Sequence, residues 1–328
     1  IQSEQPVTRG TLQTVFERKA YDELRRLGLT GETEETARHS FPGQTGMLTV
    51  SQVIPGAPAD GKLQPGDILV RVDGELVTEF VPMAAILDDN VGRKISIGLE
   101  RGGRSITEEV VVGDLHAVSP SEFLEFGDAI VHDLSYQQAR HYNRSIKGVY
   151  VANPGYMLSR AAIPRGAIVS EIAGKPVADI EDLKKLLATL ADGDRATFRY
   201  NTIDDPRNSI VRSVEMERTW FPARHCVRDD ASGLWPCEDL DVGPRTTAPE
   251  PGSTQFTQNG DARINAVIPS LAMVTFDLPY TISGVADRHY YGTGLVVDTE
   301  RGLIVVDRNT VPIAMGDVTI TFAGSLQV

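Results

Sequence analysis

The sequence predicts a mainly β fold with α-helices, in which a β-rich domain of about 100 residues occurs twice and is followed by a shorter all-β segment. Three observations predict it. First, Gly66-Asp67-Ile68-Leu69-Val70-Arg71-Val72-Asp73-Gly74-Glu75-Leu76-Val77 recurs as Gly166-Ala167-Ile168-Val169-Ser170-Glu171-Ile172-Ala173-Gly174-Lys175-Pro176-Val177, at a constant offset of 100 positions. Second, Met83, Ile86 and Leu87 recur at the same offset as Leu183, Leu186 and Leu187, the i, i+3, i+4 spacing of one helix face. Third, from Ala262 onward short alternating apolar runs are separated by turn residues, an all-β signal. A unit of this length is too long for a solenoid repeat and suits a duplicated globular domain.

Each element of the repeat follows from local pattern. Met47-Leu48-Thr49-Val50 and Val149-Tyr150-Val151 read as strands upstream of the repeated motif. The motif itself is a turn glycine, a short buried strand and a hairpin glycine. The helical face comes next, then a further strand, Ile95-Ser96-Ile97-Gly98-Leu99 or Ala196-Thr197-Phe198-Arg199-Tyr200. Arg101-Gly102-Gly103-Arg104 reads as a hairpin turn. After Thr219 the pattern changes: residues 222–258 hold five prolines (222, 236, 244, 249, 251) with Gly243, Gly252 and little periodicity, so this stretch reads as a linker.

Composition limits the partners and the chemistry. The 328 residues carry 45 Asp+Glu against 32 Lys+Arg, a formal net charge of −13, with 41% hydrophobic and 23% charged residues. That is the balance of a globular chain, too apolar for wholesale disorder. An isoelectric point near 5.0 argues against nucleic acid and anionic membrane as partners, since both ask for a basic face. No run approaches the ~18 continuous apolar residues of a membrane span. The polar opening Ile1-Gln2-Ser3-Glu4-Gln5-Pro6 lacks the basic region of a signal peptide, and Ile in place of Met suggests a piece of a longer protein. Two cysteines argue against a disulfide scaffold and fit a reducing compartment. His225-Cys226 and Cys237 lack a C-x-x-C pair, so no metal is expected and the cysteines read as buried or half-buried thiols. His132-Asp133 reads as the solvated start of a polar helix over residues 133–140. No glycine-rich phosphate loop occurs, and no cofactor is expected.

Val53-Ile54-Pro55-Gly56-Ala57-Pro58-Ala59 followed by Leu63-Gln64-Pro65-Gly66-Asp67-Ile68-Leu69 resembles the PDZ domains of HtrA-type serine proteases, whose signature is a PGSPA-like turn followed by GL-x-x-GD. In the second copy Arg165-Gly166-Ala167 lacks the aspartate. The resemblance implies two PDZ-like α/β barrels; the alternative is a small β-barrel of unknown role. A PDZ-like fold lets a peptide complete its sheet between a strand edge and a helix. The resemblance places the carboxylate-binding loop at Arg9-Gly10-Thr11-Leu12-Gln13, whose amides would form a nest. The candidate peptide-binding residues are therefore Gly10, Thr11, Leu12 and Gln13 in the loop, and Met83, Ile86 and Leu87 on the helix. The competing reading makes Leu12, Ile86 and Leu87 core, with the groove closed by the long insert from Tyr21 to Phe41. The second groove would use Phe126-Gly127-Asp128-Ala129-Ile130. Asp128 would repel a peptide carboxylate there, which points to an internal or self segment or to a structural role.

The last segment carries a second resemblance. Gly292-Thr293-Gly294-Leu295-Val296-Val297-Asp298 and Gly302-Leu303-Ile304-Val305-Val306-Asp307-Arg308-Asn309-Thr310-Val311 resemble the first barrel of a trypsin-like HtrA protease. That motif puts Asn309 at the position of the catalytic histidine. An amide does not titrate near neutral pH and cannot serve as general base, so the barrel is expected to be catalytically dead. No G-N/D-S-G-G nucleophile turn occurs, and the chain stops in the middle of an expected strand.

Taken with Arg9-Gly10-Thr11-Leu12-Gln13-Thr14, with Tyr21-Asp22-Glu23-Leu24-Arg25-Arg26-Leu27-Gly28-Leu29, with 132–140 and with Asp230-Ala231-Ser232-Gly233-Leu234-Trp235, the domain order resembles the fungal nuclear HtrA-like, pro-apoptotic serine proteases. The resemblance implies a linker from an upstream protease domain (1–8), PDZ-like domains at 9–114 and 115–219, a linker at 220–260, and a partial, degenerate trypsin-like barrel at 261–328. The implied function is a non-catalytic, peptide-binding and regulatory segment of an ATP-independent serine endopeptidase, the first PDZ-like domain binding extended apolar peptides. The alternative is a PDZ adaptor that binds partner C-termini with no proteolytic role. The implied partners are peptide or unfolded-protein substrates, the upstream active protease domain of the same protein, and further copies of the chain as a homo-oligomer. The implied location is the nucleus, with the cytoplasm as alternative.

Overall fold

A computed structural model describes residues 7–240, 252–323 and 326–327. The chain divides into two compact units, Ile1–Arg245 and Thr246–Val328. The first unit holds both repeats. In the first repeat, β1 (Gly10–Thr11) precedes β2 (Thr14–Ala20), α1 (Tyr21–Leu27), α2 (Gly31–Ser40) and β3 (Gly46–Val53). Then come β4 (Ile68–Val72), β5 (Glu75–Leu76), α3 (Phe80–Asp89), β6 (Lys94–Arg101), β7 (Arg104–Val111) and β8 (Gly113–Asp114). The sheet order is β2-β3-β4-β6-β7, with β5 on β4, while β1 pairs with β8. The hairpin between β6 and β7 turns at Gly102 and Gly103, as the sequence predicts.

Strand alternation sends successive side chains to opposite faces, and both faces of this sheet are covered. Leu48, Val50, Leu69 and Leu99 pack on one side with Leu12 and with Met83 and Leu87 of α3. Met47 and Ile68 pack on the other with Tyr21, Leu24 and Ala37 of the insert. Buried Glu100 ties the insert down by accepting bonds from the Thr30 amide (2.8 Å) and from the hydroxyls of Thr30 (2.7 Å) and Thr33 (2.5 Å). The 21–41 insert therefore lies on the face away from α3 and does not close a groove beside that helix. Asp67, the motif aspartate, is 1% exposed and does structural work: it takes two bonds from Arg101 (2.7 and 2.8 Å) and caps the Gln64 amide.

The second repeat contains β9 (Glu122–Phe126), β10 (Ala129–Asp133), α4 (Tyr136–Tyr142), β11 (Val149–Asn153), α5 (Met157–Arg160) and β12 (Ala167–Ile172). It continues with β13 (Lys175–Pro176), α6 (Ile180–Thr189), β14 (Arg195–Thr202) and β15 (Ile210–Glu215). Helices α3 and α6 begin and end 100 positions apart. The sheet does not stop where the first one does. Its order is β15-β14-β12-β11-β10-β9-β16-β17, with β16 (Arg224–Val227) and β17 (Cys237–Asp239) drawn from the stretch read as a linker. That expectation fails for residues 224–227 and 237–239, whose backbone groups continue the ladder; 241–251 lie outside the described residues. The thiol expectation fails too. Cys226 and Cys237 face each other across β16 and β17 and form a disulfide. His132 and Asp133 end a strand; the helix behind them starts at Tyr136, on a capping box made by Ser135 and Gln138.

In the second unit, α7 (Ala262–Val267) leads into β18 (Leu271–Asp277), β19 (His289–Asp298), β20 (Leu303–Val306), β21 (Asp317–Phe322) and β22 (Leu326–Gln327). Their order is β20-β19-β18-β21-β22, an antiparallel sheet with Ala272, Val274 and Phe276 on its buried face. Both units make the chain mainly β with α.

Candidate functional site

Of the seven residues read from the sequence as a peptide site, Gly10 and Thr11 of β1 and Leu12 lie against Met83, Ile86 and Leu87 of α3, while Gln13 lines a cavity toward the second repeat. β1 packs against α3 so closely that a Cβ on Gly10 would lie 2.2 Å from the Leu87 carbonyl carbon, which only glycine allows. Burial separates the seven. Leu12, Met83 and Leu87 are core, at 2%, 8% and 4% exposure, while Ile86 stays half-buried, packed against that core as Phe16 of β2 is. The core reading thus holds for Leu12 and Leu87. Two half-buried apolar side chains therefore remain at the rim of this core: Ile86 of α3, and Phe16, which the sequence reading missed although it lies two residues into the edge strand.

The loop amides are not the open nest that was expected. The Gly10 amide donates to Asp88 Oδ1 at 2.7 Å, and Arg9 pairs with Asp88 Oδ2 at 3.1 Å. The Arg9 amide donates to Asp114 Oδ1 (3.1 Å), and the Gln13 amide to Thr11 Oγ1 (3.0 Å). Gln13 adopts a left-handed φ of 52° to turn the chain into β2. Asp88 is the second residue missed by the sequence reading; it sits immediately after Leu87, one residue before α3 ends at Asp89.

The strand edges differ between repeats. β2 ends its sheet, and among the described residues no strand pairs with its outer edge. Its counterpart β10 is paired on that side by β9, with Phe126 opposite Ala129, Glu125 opposite Ile130 and Leu124 opposite Val131. Gly127 and Asp128, at φ 54° and 64°, form the tight turn of this hairpin. Residues 126–130 are therefore hairpin and not an open loop. The Gly127 carbonyl accepts from the Tyr156 and Met157 amides, each at 3.0 Å. Leu124 and Phe126 share a core with Leu183 and Leu187 of α6.

Between the repeats lies a cavity of about 580 Å³, lined in part by Gln13, Gly56, His116, Glu122, Asp133 and Lys147. Burial pushes the Asp133 carboxyl up to about 6, opposed by the bond it accepts from the Ile180 amide and aided by the charges of Asp179, Glu122 and Asp182. That bond is 2.6 Å long.

Two imidazoles meet carboxylates. His225 Nε2 lies 2.5 Å from Glu122 Oε2, and His289 Nδ1 lies 2.6 Å from Asp277 Oδ1 across β18 and β19. Asn309 sits in a turn after β20, where its amide and that of Thr310 donate to Asp307 Oδ1 at 2.8 and 3.2 Å. The Thr310 hydroxyl donates to Asp307 Oδ2 at 2.7 Å, and these bonds hold the Asp307 carboxyl below its usual range.

Comparison with known proteins gives matches over both repeats and over the whole chain. Residues 49–101 match the PDZ domain family and residues 117–193 the PDZ-like domain family. The pro-apoptotic serine protease NMA111 of Ajellomyces capsulatus is 37% identical over 98% of this chain and 32% of its own length. The namesake from Aspergillus oryzae is 37% identical over 99% of this chain and 32% of its own length. Protease Do-like 7 of Arabidopsis thaliana is 32% identical over 97% and 38%. The chain thus spans about a third of the length of the curated relatives it matches. A solved HtrA-type protease, AlgW with a decapeptide, aligns over 34% of this chain and 31% of its own at 24% identity and a TM-score of 0.27, too low to argue from.

Proposed function

The chain is homologous over nearly all of its length to a segment of the HtrA-like, pro-apoptotic serine proteases, and from that premise we propose that it is the peptide-binding, regulatory part of an ATP-independent serine endopeptidase. The first PDZ-like domain takes an extended apolar segment as an added strand on β2, with α3 as the opposite wall. One observation carries this reading: the outer edge of β2 has no strand partner among the described residues, whereas the matching edge of β10 is already paired. An unpaired edge is a template for main-chain hydrogen bonds, which give affinity, while side chains at the rim give choice. On this reading Ile86 and Phe16, both half-buried on the core, form the apolar rim. Catalysis belongs, on this reading, to residues outside the chain, since Asn309 cannot carry a proton between nucleophile and leaving group.

The test of the groove uses Ile86→Asp. Leu12→Asp is unsuitable, because Leu12 is core and a charge there would unfold the domain. Titration of a fluorescein-labelled peptide of alternating valine and serine is expected to show at least a tenfold loss of affinity for Ile86→Asp with an unchanged melting curve. Equal affinity for both proteins removes the site. Casein cleavage by the protein extended upstream, and none by residues 1–328, is the expected result for a protease segment; no cleavage by the longer protein makes the chain an adaptor.

A further inference from the structure

The loop before β2 supplies its own acceptors. Of the five amides from Arg9 to Gln13, those of Arg9, Gly10 and Gln13 already donate to side-chain oxygens of Asp114, Asp88 and Thr11. A peptide's terminal carboxylate that sought these amides would meet both carboxylates, Asp88 and Asp114, already bonded to them. Such a group would displace bonds of 2.7–3.1 Å and approach two fixed negative charges, of which Asp88 is neutralised by Arg9. Hydrogen bonds from amides to carboxylates are the strong kind, and exchanging one for another gains little. A chain that passes through the groove without ending there meets no such conflict, because it asks only for the edge of β2.

We infer that the first PDZ-like domain recognises internal extended segments and not chain termini, and that Asp88 and Thr11 set this preference by occupying the loop amides. The inference rests on the peptide-binding reading given above. It means that the segment would engage exposed apolar stretches of unfolded protein wherever they occur along a chain.

The experiment compares one fluorescein-labelled valine–serine peptide as free acid and as C-terminal amide, by fluorescence polarisation. The intact protein is expected to bind both within about threefold. The double variant Asp88→Ala, Thr11→Val frees two amides and removes one charge, so it is expected to favour the free acid by fivefold or more. Asp88→Asn keeps an acceptor for the Gly10 amide and is expected to behave like the intact protein. A tenfold preference of the intact protein for the free acid overturns the inference while leaving the peptide-binding reading in place. A double variant that melts like the intact protein but shows no shift in the ratio overturns it as well. Should the double variant fail to fold, the ratio measured on the intact protein decides alone. Absence of binding by both peptides overturns the peptide-binding reading itself and the inference with it.

Discussion

The two repeats share a helix at an offset of 100 residues and the same run of strands, yet they treat one sheet edge in opposite ways. In the first, the chain ahead of the edge strand turns away: β1 pairs with β8 and packs on α3, leaving β2 terminal. In the second, the chain ahead of the edge strand folds back. β9 pairs with β10, β16 pairs with β9, and β17 closes the series. An edge strand is a liability unless it is covered or used. The contrast teaches that the sequence of one repeat covers this edge with its own strands, whereas in the other no strand among the described residues does so. What decides it is two residues in each repeat: Gly127-Asp128 make a tight turn, while Leu12-Gln13 make a bend that does not reverse the chain onto β2.

The largest expected effect comes from breaking the turn that covers the second repeat. Gly155 has φ 55° and would place a Cβ 2.0 Å from the Asp128 carbonyl carbon. Gly155→Ala combines left-handed strain with a backbone clash and is expected to cost about 3 kcal/mol or more in chemical denaturation. Gly61→Ala in the first repeat also has positive φ, 76°, but nothing lies within 4 Å of its Cβ, so about 1 kcal/mol is expected. Equal losses for the two would show that the β9–β10 turn is not the fixed point of the second repeat.

The next effect concerns the cover itself. Cys226 and Cys237 close a loop of sequence separation 11, which in the chain-entropy picture is worth about 2–3 kcal/mol. Reduction, or Cys237→Ser, is expected to speed hydrogen exchange at 224–227 and 237–239 and to leave β2–β3 unchanged, because both cysteines of the chain lie in the second repeat's sheet. Uniform loss of protection across both repeats would count against two sheets that are stabilised independently.

How much of this was legible in the sequence depends on the range of the interaction. The repeated motif, the two helical faces and the Arg101–Arg104 turn are local patterns, and each appears where it was predicted. The seven candidate residues were placed near one another by resemblance, and the structure brings six of them together, leaving Gln13 at the cavity between the repeats. Their burial was not legible, because an i, i+3, i+4 apolar face looks the same whether it lines a groove or a core. The Asp88–Gly10 and Asp114–Arg9 bonds join residues 78 and 105 positions apart, and no spacing rule reaches that far. The same holds for β16 on β9: its pairing partner lies about a hundred residues upstream, and proline-rich flanks gave it the look of a linker.

The smallest expected effect probes the two edge strands at their ends. β2 ends on exposed Ala20, whereas β10 ends on Asp133, whose carboxyl burial raises to about 6. The folded state therefore holds this proton more tightly than the unfolded chain, whose value lies near 3.9. Its contribution to stability is fully present below about pH 4, falls as pH rises through 6, and is flat above. A shift of roughly two units corresponds to at most about 3 kcal/mol, and solvent screening of this partly exposed group reduces it to about 1 kcal/mol. Asp133→Asn keeps an Oδ1 to accept the Ile180 amide and carries no charge to desolvate. The variant is expected to gain about 1 kcal/mol over the native protein at pH 7 and nearly nothing at pH 4. A variant less stable at pH 7, or one whose advantage is the same at both pH values, would mean that Asp133 is held for its bond to α6 and that its charge is already solvated by the cavity between the repeats.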